Sequence, residues 1–95
     1  MLFRSELPTQ TALDPAYPNP FNPQTTVPFA IDRSAHVHLA VFDILGRQVE
    51  TLVDSVLPAG AHSVVFDASR VPSGTYLVRM VADGVTATRM VTLLK

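Results

Sequence analysis

Apolar residues alternate with polar ones in seven short runs along this chain. In the run from Thr25 to Ile31, for example, Val27, Phe29 and Ile31 occupy every second position. A period of two places such residues on one face of a β-strand, which then buries that face. No stretch of useful length shows the i, i+3, i+4 spacing of a helix. We therefore predict an all-β chain, with strands over residues 11–17, 25–31, 36–42, 48–55, 61–66, 75–81 and 85–94.

Glycine and aspartate mark the turns between these runs. Asp43-Ile44-Leu45-Gly46 predicts a hairpin in which Gly46 supplies the positive φ of a bulged type I turn. Asp83-Gly84 predicts a two-residue reversal. Pro28 cannot donate a backbone hydrogen bond, so we expect an unpaired or bulged position in the second run. Short strands with turns at this spacing predict an immunoglobulin-like β-sandwich of about seven antiparallel strands.

The stretch Tyr17–Pro23, here called the proline segment, has a different character. Its three prolines exclude a helix and the middle of a sheet, because proline lacks a backbone donor and pushes the preceding residue towards extended geometry. Asn19 and Asn22 suit Asx-type turns. We therefore expect a stiff, extended lead-in whose two aromatic residues, Tyr17 and Phe21, anchor it to the sandwich.

Tyr76 directly follows a loop that contains Pro72 and the turn glycine Gly74, at the start of the penultimate run. From this position its hydroxyl can bond back to the loop, as in the tyrosine corner of immunoglobulin-like domains. The alternative is a half-buried strand tyrosine without such a bond. The sequence does not choose between the two.

Composition narrows the functions that remain. Seven Lys and Arg against eight Asp and Glu give a net charge of −1, which offers no basic field for nucleic acid or for an anionic membrane. The absence of cysteine excludes disulfides, cysteine-ligated zinc and thiol catalysis. No apolar run is long enough to span a membrane, and the residues after Met1 lack the pattern of a signal peptide.

Five motifs occur in order along the chain: Tyr17–Thr26, Val41–Arg47, Leu57–Gly60, Pro72–Tyr76 and Arg89–Lys95. Together they resemble the C-terminal sorting domains of proteins exported by the type IX secretion system. Those domains are related in sequence to the immunoglobulin-like domain of flagellar hook-capping proteins. The resemblance covers residues 16–95.

The resemblance implies a sorting and cell-attachment module that directs an upstream passenger protein across the outer membrane to the cell surface or beyond. It implies two partners besides the passenger, an outer-membrane translocon and a sortase-like surface protease. It implies no catalysis and no cofactor. The alternative is an accessory module of a multidomain secreted enzyme, either carbohydrate-binding or an inert immunoglobulin-like spacer.

The resemblance also divides the chain into two parts. Residues 1–15 are expected to be a linker or the end of the upstream passenger, and residues 16–95 the sorting domain. We interpret the chain as an excised fragment to which Met1 was added. A comparison of its intact mass with that of the natural gene product tests this interpretation.

Two features of the sequence are candidates for partner recognition. The first is Ile44-Leu45, because apolar residues are unusual at a hairpin tip. Either Leu45 caps the core between the sheets, or both residues form an exposed docking patch. The second is the final strand with Arg89 and Lys95, which offers backbone groups for strand addition if it lies at a sheet edge. The alternative is that its two charges only protect that edge.

Other constellations are weaker. His36 and His38 share the outward face of one strand, and His62 is the one obvious third nitrogen for a metal. Four aspartates near turns leave a calcium site conceivable, namely Asp43, Asp54, Asp67 and Asp83. Neither set has the density of a metal site, no catalytic motif is present, and we predict no metal, cofactor or catalytic residue.

Overall fold

The computed structural model describes residues 10–95, which form seven antiparallel strands and no helix. The strands alternate in direction along the chain and are joined mostly by short turns. Their bounds are β1 Ala12–Leu13, β2 Gln24–Ile31, β3 Ala35–Asp43, β4 Gln48–Leu57, β5 Gly60–Asp67, β6 Gly74–Ala82 and β7 Val85–Leu93.

The strands form two sheets that pack face to face. One sheet has the order β1-β2-β5, and the other has the order β4-β3-β6-β7. The predicted all-β sandwich is confirmed. Its fourth strand pairs with β3 in the larger sheet, whereas the fourth strand of a constant-type immunoglobulin domain belongs to the sheet of the first strand.

The core lies between the sheets, and most of its residues occupy every second position of the long strands. Val27, Phe29 and Ile31 of β2 are buried, and so are the inward positions of the other long central strands. The largest of these are Val37, Leu39 and Val41 on β3, Phe66 on β5, Tyr76, Val78 and Met80 on β6, and Val91 and Leu93 on β7. A period of two was therefore sufficient to assign the faces.

Pro28 does not cause the bulge that the sequence suggested at this position. It pairs with Ser63 in an unbroken β2–β5 register. Its carbonyl accepts a hydrogen bond from the Asp14 N–H at 3.0 Å, so its donor-less nitrogen faces the same side, where β1 has already ended. The Pro28 nitrogen donates no hydrogen bond, as expected, but the strand has no bulge there. The register shifts lie instead between β3 and β4, on both sides of Ala40-Val41.

The proline segment is anchored by one aromatic side chain, not two. Phe21 is buried between the sheets, with its ring centroid 5.8 Å from that of Phe66. The Tyr17 side chain is 60% exposed, so the prediction that it anchors the segment was wrong. The backbone of Tyr17 makes the attachment instead, because its N–H and C=O both pair with Thr26.

The proline segment also covers part of the outer edge of β7. The Phe21 N–H donates to the Thr92 carbonyl at 2.9 Å, and the Leu94 N–H donates to the Phe21 carbonyl at 3.0 Å. The side-chain amide of Asn19 substitutes for a peptide group, because it donates to the Met90 carbonyl and accepts from the Thr92 N–H. Asn22 is exposed and holds no comparable position.

Tyr76 forms a tyrosine corner. Its hydroxyl donates to the Pro72 carbonyl at 2.5 Å, and its ring packs edge-on against Phe66. The alternative of a strand tyrosine without this bond is excluded. The glycine before it, Gly74, has a φ of 153°, a backbone conformation that favours glycine.

The sandwich has two distinct ends. At one end, Thr11 bonds to Asp32 just before the chain enters β1, and Arg33 forms an ion pair with Asp83 of the β6–β7 turn. We call this the linker end. The opposite end holds the β3–β4 hairpin tip, the β5–β6 loop and Lys95, whose N–H donates to the Ser73 hydroxyl. We call this the tip end.

Replacement of Tyr76 by Phe removes only the hydroxyl of the corner. We expect the free energy of unfolding to fall by about 1 kcal/mol, the usual net value of such a hydrogen bond. Urea unfolding followed by far-UV circular dichroism measures the change. Tyr17→Phe is the matched control, and it should leave stability within about 0.5 kcal/mol because that side chain is exposed. Equal effects of the two variants would contradict the assignment.

Replacement of Asn19 by Ala removes two hydrogen bonds to the edge of β7. We expect a loss of about 1 kcal/mol and faster hydrogen exchange at the Thr92 amide, since both bonds are exposed and partly replaced by water. Asn22→Ala is the matched control and should change neither quantity. Unchanged exchange at Thr92 in Asn19→Ala would show that the side-chain amide does not close this edge.

Candidate recognition surface at the tip end

The β3–β4 hairpin tip is held rigid by Asp43. Its Oδ1 accepts from the backbone N–H groups of Leu45 and Arg47 at 2.9 and 3.0 Å, and its Oδ2 accepts from the Arg47 Nε at 2.9 Å. Backbone bonds from Gly46 to Asp43 and from Asp43 to Arg47 complete the turn. Gly46 has the predicted positive φ, 87°, which other residues adopt only with strain.

This turn presents Ile44 and Leu45 to solvent. They are 72% and 76% exposed, the two highest values among the large apolar residues between positions 10 and 95. The interpretation that Leu45 caps the core was therefore wrong. Tyr76 and Phe21 close the core at this end instead, both in contact with Phe66.

A groove of about 380 Å³ lies beside the tip. Ile44, Leu45 and Val49 line one side, and Val71, Pro72 and the Tyr76 ring line the other. The lining is mostly apolar, with the Asp43–Arg47 ion pair on the same hairpin. A concave apolar surface with a few polar groups suits one or two apolar side chains of a partner. The sequence did not reveal Val49 and Val71, because their proximity depends on how two distant loops pack.

Apolar side chains continue from the groove onto the outer face of the larger sheet. Phe42 pairs with Leu77, and Leu77 pairs with Met90, which is 61% exposed. Their strand neighbours Val41, Val78 and Val91 point into the core, so these three point outward. The adjacent pair, Asp43 with Tyr76, belongs to the groove. The sequence was sufficient to predict the outward-facing row of Phe42, Leu77 and Met90, because each is an apolar residue at an outward position of its strand.

The two cationic candidates of the last strand both contact main-chain carbonyls. The Arg89 Nε donates to the Leu13 carbonyl at 2.9 Å, and the Lys95 Nζ donates to the Ser69 carbonyl at 2.9 Å. Arg89 thereby connects β7 to the first strand of the other sheet, and Lys95 connects the end of the chain to the β5–β6 loop. The structure brings Lys95 to the tip end with Ile44 and Leu45, and it keeps Arg89 apart from them.

The three histidines do not come together. His36 lies on the larger sheet, with its Nε2 2.8 Å from the Asp54 Oδ1. His62 lies on the smaller sheet, stacked on Phe29, with its Nε2 2.8 Å from the Pro58 carbonyl. The idea that His62 supplies a third ligand to His36 and His38 was therefore wrong.

The aspartates considered for calcium are also dispersed. Asp43 and Asp67 lie towards the tip end, Asp83 lies at the linker end, and Asp54 lies on β4. Between residues 10 and 95, no group of three or more His, Cys, Asp or Glu side chains is placed to hold a metal ion.

Hydrogen bonds lower the pKa of two aspartates near the tip. The Arg47 backbone N–H, with its guanidinium, holds the pKa of Asp43 below its usual range. The hydroxyl and the backbone N–H of Ser69 do the same to the pKa of Asp67. Both carboxylates order the loops that border the groove, since each accepts from the backbone of its own turn.

These lowered pKa values predict an acid-dependent stability. A carboxyl whose folded pKa lies below its unfolded value stabilises the fold above the unfolded value, and this contribution disappears as the pH falls through the folded value. We expect unfolding free energy to fall on acidification between about pH 5 and pH 2. The double variant Asp43→Asn, Asp67→Asn should lose less over this window than the wild type, measured by urea titration at each pH. Parallel curves would contradict the role of these two groups.

The part of the chain that the structure describes contains no helix able to cross a membrane. A comparison with curated proteins finds no match to this chain. The model of one family, described as the secretion system C-terminal sorting domain, matches residues 15–93. This match covers most of the chain and includes the proline segment, the hairpin tip and the last strand. The chain therefore belongs to the family of secretion system C-terminal sorting domains, the modules that direct an attached protein through the type IX secretion system and across the outer membrane, to the cell surface or the extracellular space.

Proposed function

We propose that the tip end is the surface by which the type IX machinery recognises this module. The observation that carries the proposal is the exposed pair Ile44 and Leu45, held on a rigid turn at the rim of an apolar groove. Exposed apolar residues on a turn weaken solubility and add nothing to the core, so a binding role accounts for them. The outer-membrane translocon is the partner that we assign to this surface.

Rigidity supports a recognition role. Asp43 fixes the tip by accepting two hydrogen bonds from backbone N–H groups and one from the Arg47 side chain, so docking costs little entropy to order the turn. The groove beside it is bordered by the tyrosine corner, which fixes Pro72. A partner therefore binds a preformed surface, as expected of a module that is recognised by its shape.

The position of the linker end opposite the tip end supports the same assignment. The chain enters β1 at the linker end, and Ile44 and Leu45 lie at the opposite end. A passenger attached ahead of Thr11 thus approaches from the side remote from the groove.

We assign no catalysis to this module, since a sorting function needs a stable surface and no reactive group. The sortase-like surface protease is the second proposed partner, and it acts on the chain that precedes the sandwich. The boundary between residues 1–15 and 16–95 stays a prediction, and β1 at Ala12–Leu13 lies within the range assigned to the linker. Family membership does not favour the alternative of a carbohydrate-binding or spacer module.

The double variant Ile44→Asp, Leu45→Asp tests the proposal. Fused behind a periplasm-directed fluorescent reporter, it should reduce surface delivery in a type IX host by about tenfold or more, because a charge in an apolar docking site leaves a desolvated group unpaired. Stability should change by no more than about 0.5 kcal/mol per site, since both side chains are exposed. Flow cytometry measures the delivered reporter.

Val56→Asp is the matched control, because Val56 is 66% exposed and lies near the linker end of β4. It should be delivered like the wild type. Normal delivery of a folded tip variant would refute the proposal. Loss of delivery in the control as well would mean that surface charge matters and not the tip.

A further inference from the structure

We propose that the outer edge of β7 between Val85 and Met90 is a strand-addition site for an extended partner segment that carries an acidic residue. This site is separate from the groove at the tip, and it does not depend on the role proposed for Ile44 and Leu45. The partner is a stretch of another protein in strand conformation, paired to β7 through its backbone.

The backbone geometry of β7 identifies the groups involved. The register with β6 places the N–H and C=O groups of alternate β7 residues towards the sheet edge. Thr92 belongs to this outward set, because its N–H and C=O bond to Asn19 and Phe21. Thr88 and Thr86 belong to it as well, because they lie four and six residues before Thr92, and so does the N–H of Met90.

The proline segment covers only the later half of this edge. Its hydrogen bonds extend from the Met90 carbonyl to the Leu94 N–H. Between residues 10 and 95, no turn or loop forms a backbone hydrogen bond with Thr86 or Thr88. The stretch that the proline segment leaves free measures about 17 Å at 3.3 Å per residue, which accommodates a short strand. On its inner side β1 contacts β7, where the Arg89 Nε donates to the Leu13 carbonyl.

This stretch has fewer of the usual protections of an edge strand than β4 has, since Arg89 is its one charged residue. It contains no proline, and its pairing with β6 runs without a register shift. The opposite edge of the same sheet, β4, has two register shifts against β3 and carries Glu50 and Asp54. Natural edges use such bulges and charges to prevent pairing. Strand addition is therefore favoured at β7 over β4.

The charges around Thr88 indicate the chemistry of the partner. Arg79 pairs with Thr88 across the sheet on the outer face, and Arg89 follows Thr88 on the inner side. Both are exposed, and neither forms an ion pair with a carboxylate among the described residues. Two unneutralised guanidinium groups on both sides of one edge position favour a glutamate or aspartate on the added strand.

Amide hydrogen exchange on the whole chain tests the proposal. The probe is a short capped peptide of alternating threonine and valine with a central glutamate. At ten times its dissociation constant it should slow exchange at Thr86, Thr88 and Met90 by about tenfold, because only the unbound fraction exchanges. The same peptide with lysine in place of glutamate should bind about threefold more weakly or worse. Protection elsewhere, or none, would overturn the proposal.

Two variants separate backbone pairing from side-chain contact. Thr88→Pro removes the outward donor and should abolish the protection, whereas Thr88→Val keeps the donor and should preserve it. If the proline variant does not fold, a peptide N-methylated on its edge-facing amides replaces it and should not protect the wild-type chain. Binding that persists without these donors would refute strand addition.

Arg79→Glu isolates the contribution of charge, since the Arg79 side chain is exposed and forms no ion pair with a carboxylate of residues 10–95. It should remove the preference for the glutamate peptide over the lysine peptide, and Arg70→Glu, on the β5–β6 loop, should not. An unchanged preference in Arg79→Glu would refute the acidic character of the partner.

Discussion

The proline segment and the last strand hold each other in place, and the tip end depends on this contact. Phe21 enters the core between the sheets, and the backbone on both sides of it hydrogen bonds with Thr92 and Leu94. Burial of a phenylalanine side chain contributes about 2–3 kcal/mol, a large share of the stability of so small a domain. Without this insertion, the space beside Phe66 and Tyr76 would be open, and the loop that borders the groove would lose its support.

This contact explains how a domain without a reactive group carries a signal. The tyrosine corner fixes the β5–β6 loop, Asp43 fixes the hairpin, and Phe21 packs beside Phe66 in the core at this end. The result is an apolar surface whose shape is already formed in the unbound domain. The ion pairs that join the turns at the linker end keep that end polar, so the two ends of the sandwich differ in chemistry as well as in connection.

Local patterns in the sequence were sufficient for the strands and for the turns that need glycine. Val27, Phe29 and Ile31 alternate strictly, and Gly46 follows an aspartate that can bond to its own turn, so both outcomes depend on neighbours in the chain. The family resemblance was sufficient for the class of function. Tyr17 was wrongly assigned as an anchor because the choice between two aromatic residues depends on where the sheets leave space.

Contacts between residues that are distant in the chain could not be predicted from the sequence. The pairing of Asn19 with Met90 and Thr92 crosses more than 70 residues, and no local rule indicates that a side-chain amide will replace a peptide group there. The separation of His62 from His36 likewise depends on which sheet each strand joins. The groove needs two loops to meet, so the sequence indicated Leu45 but not the surface to which it belongs.

Site-specific photo-crosslinking during export tests the central claim most directly, that the tip end meets the machinery. A photoreactive amino acid is placed singly at Leu45 at the tip end and at Val56 near the linker end, in a reporter fusion caught during transport. The account predicts crosslinks to a translocon component from Leu45 and none from Val56. Crosslinks from Val56 alone would contradict it.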